Sequence, residues 1–157
     1  MTDHILDADA KQGDQSRIDY GLLETAVGYR MRRVQVGLLA DLNERLSIKD
    51  VRPTDFTVLT IIANNPGLKQ SEVAEALGIQ RANFVAVIDA LEKNGFAERR
   101  KSDADRRVQS LHITSPGTTH LAEITAIWRQ HEQNVVDRLG GAEARDRLIA
   151  LLSLLNP

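Results

Sequence analysis

The chain has no cysteine and few aromatic residues, and both shortages limit what it can be. Its 157 residues include two tyrosines, three phenylalanines, one tryptophan and four prolines. Without cysteine the protein has no disulfides, no thiolate metal sites and no reactive thiol with which to sense oxidants. The apolar content of 42% still predicts a folded chain, and the length predicts one domain with enough material to bury a core.

Long hydrophobic runs are also absent, and this predicts a cytoplasmic protein with no membrane partner. No uninterrupted apolar stretch approaches the roughly 18 residues of a transmembrane helix. The first residues, Met1 to His4, are acidic rather than basic in character. They therefore do not have the pattern of a secretory signal.

The sequence lacks the motifs of metal centres and of common enzymes. Its four histidines, at positions 4, 112, 120 and 131, form no pair at metal-ligand spacing on one helix face. It has no serine nucleophile elbow, no phosphate-binding glycine loop and no paired catalytic carboxylates. We therefore predict a protein that is not an enzyme and that holds no metal and no cofactor.

What the chain does have is a concentrated basic segment, residues 99–107, followed by an alternating run at 108–114. Five of those nine residues are Lys or Arg and two are Asp, so the segment carries a charge of +3 in a chain whose total is −2. Concentrated positive charge usually indicates contact with phosphate. The segment predicts a basic β-hairpin tip, although a solvated loop between two strands would have the same composition.

Two short helices are predicted directly upstream of this hairpin. Val73, Ala74 and Leu77 have the spacing of a short amphipathic helix, and Gly78 supplies its end because glycine readily adopts positive φ. In the second helix the apolar residues recur at i, i+3, i+4 and i+7. These residues are Phe84, Val87, Ile88 and Leu91. Helix, turn, helix and two-stranded hairpin is the winged helix-turn-helix arrangement, with one face of the second helix free for recognition.

In this order and spacing the motifs resemble the multiple antibiotic resistance regulator (MarR) family. The matching pieces are Pro66-Gly67, Glu72-Val73-Ala74-x-x-Leu77, Ile88-Asp89-x-Leu91-Glu92-x-x-Gly95-Phe96, Asp103-x-Asp105-Arg106-Arg107 and Leu111-x-Ile113-Thr114-x-x-Gly117. They cover residues 51–117, and the flanks agree with the family in length and helical character. The resemblance implies a homodimeric transcriptional regulator that binds duplex DNA, a repressor released by a small ligand of the aromatic-acid type.

We expect a mainly α (α+β) fold with a winged helix-turn-helix lobe between long dimerisation helices. The lobe is predicted at 51–115, the dimerisation helices at 17–50 and 116–157, and a mobile tail at 1–16. Individual helices are predicted at 17–46, 54–64, 70–77, 81–94, 116–139 and 143–155, with strands near 97–101 and 108–114.

Apolar stripes at both ends of the chain exceed what so small a lobe can cover. A second copy is the simplest partner, although an intramolecular bundle of the terminal helices is an alternative. A two-fold dimer would set its recognition helices about 34 Å apart and would require a palindromic site.

The lobe also predicts specific DNA contacts. The second helix is expected to enter the major groove by its N-terminal end, so Gln80, Arg81 and Asn83 are candidates for contacts to base edges. Lys69 and Ser71 are candidates for contacts to phosphates. The wing contributes further basic candidates: Arg99, Lys101, Arg106 and Arg107.

The wing carries an acid of interest, and the second helix departs from the family at three positions. The resemblance implies that Asp105 orients Arg107 toward the minor groove, and a purely structural ion pair is the alternative. Family members commonly carry Ser or Thr near positions 82 and 85 and Arg near 86, whereas this chain has Ala82, Val85 and Ala86. These side chains cannot donate to phosphate or base, so the recognised sequence stays open.

An effector site is implied by the same resemblance. Family members often bind small aromatic acids or their derivatives in a cleft between the dimer helices and the DNA lobe. Tyr29, Phe56 and Trp128 are expected on the walls of that cleft, and Arg30 or Arg33 would receive a carboxylate or phosphate. For the aromatic residues the alternative is core packing, and for the arginines it is a solvated helix face or an ion pair across the dimer.

Two other functions fit the same sequence. One is a DNA-binding regulator that acts by occupancy alone and has no ligand. The other is a winged-helix interaction module that does not bind DNA, which the apolar residues at 82, 85 and 86 make conceivable.

Overall fold

The computed structural model describes residues 18–101 and 109–155. The chain divides into two units, residues 1–36 and 37–157. The predicted mobile tail at 1–16 lies outside the described residues, as do the predicted DNA contacts Asp105, Arg106 and Arg107 of the wing.

Helices account for most of the described chain, and a single hairpin accounts for its strands. A short 3-10 helix (Gly21–Glu24) is followed by α1 (Val27–Ser47), α2 (Pro53–Asn64), α3 (Gln70–Ala76), α4 (Arg81–Lys93), α5 (Ser115–Leu139) and α6 (Ala142–Ser153). Strands β1 (Ala97–Lys101) and β2 (Gln109–Ile113) pair antiparallel. The predicted mainly α fold with a winged helix-turn-helix lobe is confirmed.

The prediction of one helix over 17–46 is wrong at its start. The Asp19 carboxylate accepts a hydrogen bond from the Gly21 N–H at 2.8 Å, and Gly21 has a φ of +52°. A residue with positive φ interrupts an α-helix. A short 3-10 helix over Gly21–Glu24 takes the place of the first predicted turns, and α1 begins at Val27.

The helix-turn-helix forms as its spacing predicts. Gly78 (φ +61°) follows α3 and Gly95 (φ +73°) follows α4, so both helices end at glycines in the left-handed region. The predicted apolar face of α4 is buried, with Phe84 and Ile88 completely inaccessible. This face joins one hydrophobic core with side chains of α2, α3, β2 and α5.

The wing is attached to the start of α3 as well as to its own partner strand. An isolated bridge pairs Ser110 of β2 with Lys69, and the Leu111 N–H donates to the Leu68 carbonyl at 2.8 Å. The Leu111 side chain is completely buried in the core. The base of the wing therefore has a fixed position relative to the helix-turn-helix.

Helix α5 begins in direct contact with the root of the wing. The Thr114 hydroxyl donates to the Gly95 carbonyl at 2.6 Å and accepts from the Gly117 N–H at 3.0 Å. A Cβ atom at Gly117 would lie 1.9 Å from the carbonyl oxygen of Phe96 and 2.9 Å from a side-chain carbon of Ile113. Only glycine permits this approach between the helix and the strand.

None of the helices in the two described stretches combines the length and the apolar character that crossing a membrane requires.

We expect Gly117→Ala to lower the free energy of unfolding by about 3 kcal/mol, because the added carbon forces backbone apart in a packed region. Urea denaturation measures this change. Gly37→Ala in α1 is the control, since an added carbon there meets nothing within 4 Å and alanine stabilises a helix by about 1 kcal/mol relative to glycine. Equal stability of wild type and Gly117→Ala would contradict the close contact.

Candidate nucleic-acid interface

A groove of about 810 Å³ lies where α3, α4 and the base of the wing meet. Its lining is mostly polar and charged, and every residue in it belongs to these elements or directly precedes them. The lining residues are Lys69, Gln70, Ser71, Arg81, Val85, Asp89, Glu92, Arg99 and Gln109. Four of the predicted DNA contacts, Lys69, Ser71, Arg81 and Arg99, are thus brought to one surface.

Arg99 of β1 connects the wing to both helices of this groove. Its guanidinium forms ion pairs with Asp89, at 2.8 Å, and with Glu92, and its Nε donates to the side-chain oxygen of Gln70 at 3.2 Å. The Arg99 backbone N–H also donates to the Glu92 carboxylate at 2.7 Å. Because the Arg99 side chain is only 16% exposed, this arginine holds the wing in place and presents little of itself to solvent.

The exposed positive charge of the groove comes from two other residues. Three cations and two carboxylates line it, and both carboxylates pair with Arg99. Within the described residues Lys69 and Arg81 form no ion pair, and both side chains are exposed. An approaching anion would therefore meet two exposed cations, one at the start of α3 and one at the start of α4.

Three more of the predicted contacts lie in the described part of the chain but outside the groove lining. Gln80 is the residue directly before α4, Asn83 is in the first turn of that helix, and Lys101 ends β1. All three are accessible. Their roles as DNA contacts stay predictions.

Sequence reasoning missed the acidic and amide residues that complete the groove. Asp89 and Glu92 are three residues apart, so they lie on the same face of α4. That spacing was visible in the sequence. The partner on the wing was not, because only the folded hairpin brings Arg99 back to this face.

A second groove, of about 630 Å³, lies within the unit formed by residues 1–36. Its walls include three of the predicted effector contacts, Tyr29, Arg30 and Arg33, together with Tyr20. The rings of Tyr20 and Tyr29 are 5.9 Å apart, and the Arg33 guanidinium carbon lies 5.8 Å from the centre of the Tyr20 ring. The neighbouring hydroxyls of Tyr20 and then Tyr29 raise the pKa of Arg33 above its ordinary value. Arginine is protonated in proteins in any case, so the groove keeps a permanent cation beside two aromatic rings.

The other two predicted effector contacts belong to the unit formed by residues 37–157. Phe56 of α2 and Trp128 of α5 stack with ring centres 5.7 Å apart and planes 26° apart. Both rings are partly buried and pack against the hydrophobic core. Their geometry is that of a helix-to-helix contact, and an effector contact at these rings stays a prediction.

The described residues contain no group of three or more His, Asp or Glu side chains arranged to hold a metal ion.

We expect Arg99→Ala to lower the free energy of unfolding by about 2 kcal/mol, because the partly buried Glu92 loses its charged hydrogen-bond partner. Arg100→Ala is the matched control on the next position of β1. Arg100 and its partner Glu98 are 57% and 43% exposed, so the control should change stability by no more than about 0.5 kcal/mol. Urea denaturation of both variants gives the comparison, and equal losses would argue against a special role for Arg99.

Comparisons with known proteins agree with this architecture. The family model of the MarR family matches residues 51–108. A protein described as a transcriptional regulator for the hcr operon of Thauera aromatica is 35% identical over 143 residues, which cover 90% of this chain and 86% of that protein. The transcriptional repressor MprA of Escherichia coli K12 is 37% identical over 93 residues, covering 58% of this chain and 53% of that protein.

Solved structures give the same result. The transcriptional repressor CouR bound to a 23-mer DNA duplex is 37% identical with a TM-score of 0.79, over 89% of this chain and 96% of CouR. CouR bound to p-coumaroyl-CoA is 32% identical with a TM-score of 0.80, over 88% and 96% of the two chains. This protein belongs to the MarR family of winged-helix transcriptional regulators.

Proposed function

We propose that this protein is a homodimeric, sequence-specific DNA-binding repressor that a small ligand releases from a palindromic operator. The observation that carries the proposal is the groove between α3, α4 and the wing, where Lys69 and Arg81 offer exposed positive charge. The related repressor CouR binds a DNA duplex. This chain has the same fold as CouR and is 37% identical to it. No part of the proposal requires catalysis.

In this proposal α4 enters the major groove by its first turn. Gln80, Arg81 and Asn83 then meet base edges, where Arg suits guanine and Gln or Asn suits adenine. Lys69 and Ser71 at the start of α3 contact the phosphate backbone, which fixes the register of the protein without reading sequence.

The wing is proposed to contact the adjacent minor groove. Lys101, Arg106 and Arg107 supply positive charge there, and Asp105 orients Arg107. Arg99 lines the groove, and its guanidinium already pairs with two carboxylates. We assign it to positioning the wing against α4.

Dimerisation is supported by the apolar side chains that the ends of the chain leave exposed. In α6 and the residues after it these are Leu148, Ile149, Leu151, Leu152, Leu154 and Leu155, between 39% and 81% exposed. In the first unit they include Leu22, Val27 and Val34. Clusters of exposed apolar side chains, such as the one on α6, usually mark an interface, and a two-fold pair of identical chains is the commonest one.

Selection of bound duplexes from a random DNA pool tests the proposed function. Wild type should enrich a palindrome with half-sites about one helical turn apart, or a multiple of it. Arg81→Ala should relax the preference for a particular base at one position of each half-site. Lys69→Ala should instead weaken binding to all sequences and reduce the slope of log affinity against log salt by about 0.9 for each phosphate that the variant no longer neutralises.

Arg129→Ala, an exposed arginine of α5 outside the groove, is the control for charge alone and should retain both the preference and most of the salt slope. The proposal would be contradicted if the wild-type protein enriched no duplex at low salt, or if its affinity for DNA did not change with salt concentration. Either result would favour a winged-helix module that binds another protein.

For the effector we propose an aromatic carboxylic acid or its coenzyme A thioester, received by the groove of the first unit. Two tyrosine rings there suit an aromatic ring, and Arg30 and Arg33 suit a carboxylate or phosphate. The ligand bound to the related CouR, p-coumaroyl-CoA, has both features. Phe56 and Trp128 are a separate candidate contact. Their rings are only partly accessible, because they stack on each other and pack against the core.

Thermal unfolding with p-coumaroyl-CoA, p-coumarate and free coenzyme A as probes tests this assignment. A probe at 100 times its Kd should stabilise the folded protein by about 2.7 kcal/mol. Arg33→Gln should reduce the shift, whereas Arg32→Gln, whose side chain lies outside the groove lining, should preserve it. If no probe raises the melting temperature or releases the selected duplex, the regulator acts by occupancy and this effector class is wrong.

A further inference from the structure

The outward face of α4 has an apolar centre. Successive residues of an α-helix are about 100° apart, which puts Ala82, Val85 and Ala86 within one third of a turn. The core face, centred on Ile88 and Phe84, lies on the opposite side of the helix. Ala82 and Ala86 are exposed, and Val85 is half-buried and lines the groove. We call these three residues the methyl patch.

The methyl patch lies at the centre of the proposed base-reading surface of α4. Arg81 and Asn83 are each about 100° from Ala82 around the helix axis, so they flank the patch on its two sides. None of the three patch side chains can donate or accept a hydrogen bond. The middle of the recognition face therefore contacts whatever covers it through carbon atoms alone.

A partner protein is a poor fit for this surface. A stable protein interface buries about 800 Å² on each partner, far more than two alanines and a valine offer. The surroundings are charged as well, with Lys69 and Arg81 exposed in the same groove. Positive charge around a small apolar centre is complementary to a major groove, where phosphates flank the base edges.

Thymine is the one standard base that presents an apolar group in the major groove, its C5-methyl. We propose that Ala82, Val85 and Ala86 read thymine through this methyl group, so that each operator half-site carries thymine opposite the methyl patch. The proposal rests on the proposed DNA-binding function and adds a determinant of sequence preference. Small side chains suit the role, because they let the helix approach base edges closely.

The next residue along the same face does not counteract this preference. Asp89 follows the patch by one turn, and a free carboxylate there would accept from the amino group of cytosine. Its carboxylate instead pairs with Arg99 at 2.8 Å. The pairing engages Oδ1 and offsets the charge of this carboxylate, whose side chain stays 60% exposed one turn beyond the methyl patch.

The test uses the full chain and the duplex that selection from the random pool yields. Each thymine of both half-sites is replaced in turn by deoxyuridine, which removes the methyl and keeps the Watson–Crick pairing. We expect at least one position in each half-site where this change weakens binding about fourfold, the value for one buried methyl-sized group. Replacing both symmetric thymines should weaken binding about 15-fold on the same basis.

Three variants identify the source of the effect: Ala82→Ser, Val85→Ser and Ala86→Ser. At least one of them should bring the ratio of thymine to uracil affinity close to one at a defined position. Ala122→Ser, at an exposed position of α5, is the control and should preserve the fourfold ratio. A change that merely distorts α4 would weaken both duplexes equally, so the ratio separates methyl contact from structural damage.

Two negative results differ in what they overturn. A selected duplex whose uracil forms all bind as tightly as the thymine form would overturn methyl reading while leaving DNA binding intact. Methyl reading is equally overturned if all three variants keep the wild-type ratio. A selection that enriches no duplex would overturn the DNA-binding proposal, and methyl reading with it.

Discussion

The ion pairs of Arg99 are the constraint on which the candidate interface depends. A two-stranded hairpin is marginally stable by itself, and β1 and β2 have only five residues each. Arg99 joins the first strand to Asp89 and Glu92 of α4 and to Gln70 of α3. Together with the backbone pairing of β2 to the start of α3, these contacts hold the base of the wing against the same helices that are proposed to contact DNA.

This network also settles an electrostatic problem. Two carboxylates in a groove that is to receive phosphate would repel the ligand. Arg99 offsets one of these two negative charges at short range, and the exposed charges of Lys69 and Arg81 then make the lining of the groove positive. A net charge of −2 for the chain is thus compatible with a locally positive interface.

Most of the fold followed from periodicity and from glycine. The spacing of Phe84, Val87 and Ile88 predicted the buried face of α4. Gly78 predicted the C-terminal end of α3, and Gly95 predicted that of α4. The start of α1 could not be predicted in this way. There an apolar stripe suggested a continuous helix, whereas Gly21 has a positive φ and its N–H donates to the Asp19 carboxylate.

The candidate site was predictable only in part. Positions near the starts of α3 and α4 made Lys69, Ser71 and Arg81 plausible contacts, and the structure does bring them to one groove. The partners of Arg99 were not predictable, because a pairing between a strand and a preceding helix depends on the path of the chain between them. No local pattern distinguishes an arginine that faces a carboxylate from one that faces solvent.

The close contact at Gly117 links the position of α5 to the root of the wing. This helix has 25 residues and is therefore about 37 Å long, and its first turn rests on the carbonyl of Phe96 with no space between them. Further along the helix Ile124 is buried in the core and Trp128 stacks on Phe56 of α2. A tilt of about 5°, which would displace the far end of α5 by about 3 Å over that length, would therefore have to disturb the packing both at the wing root and on α2.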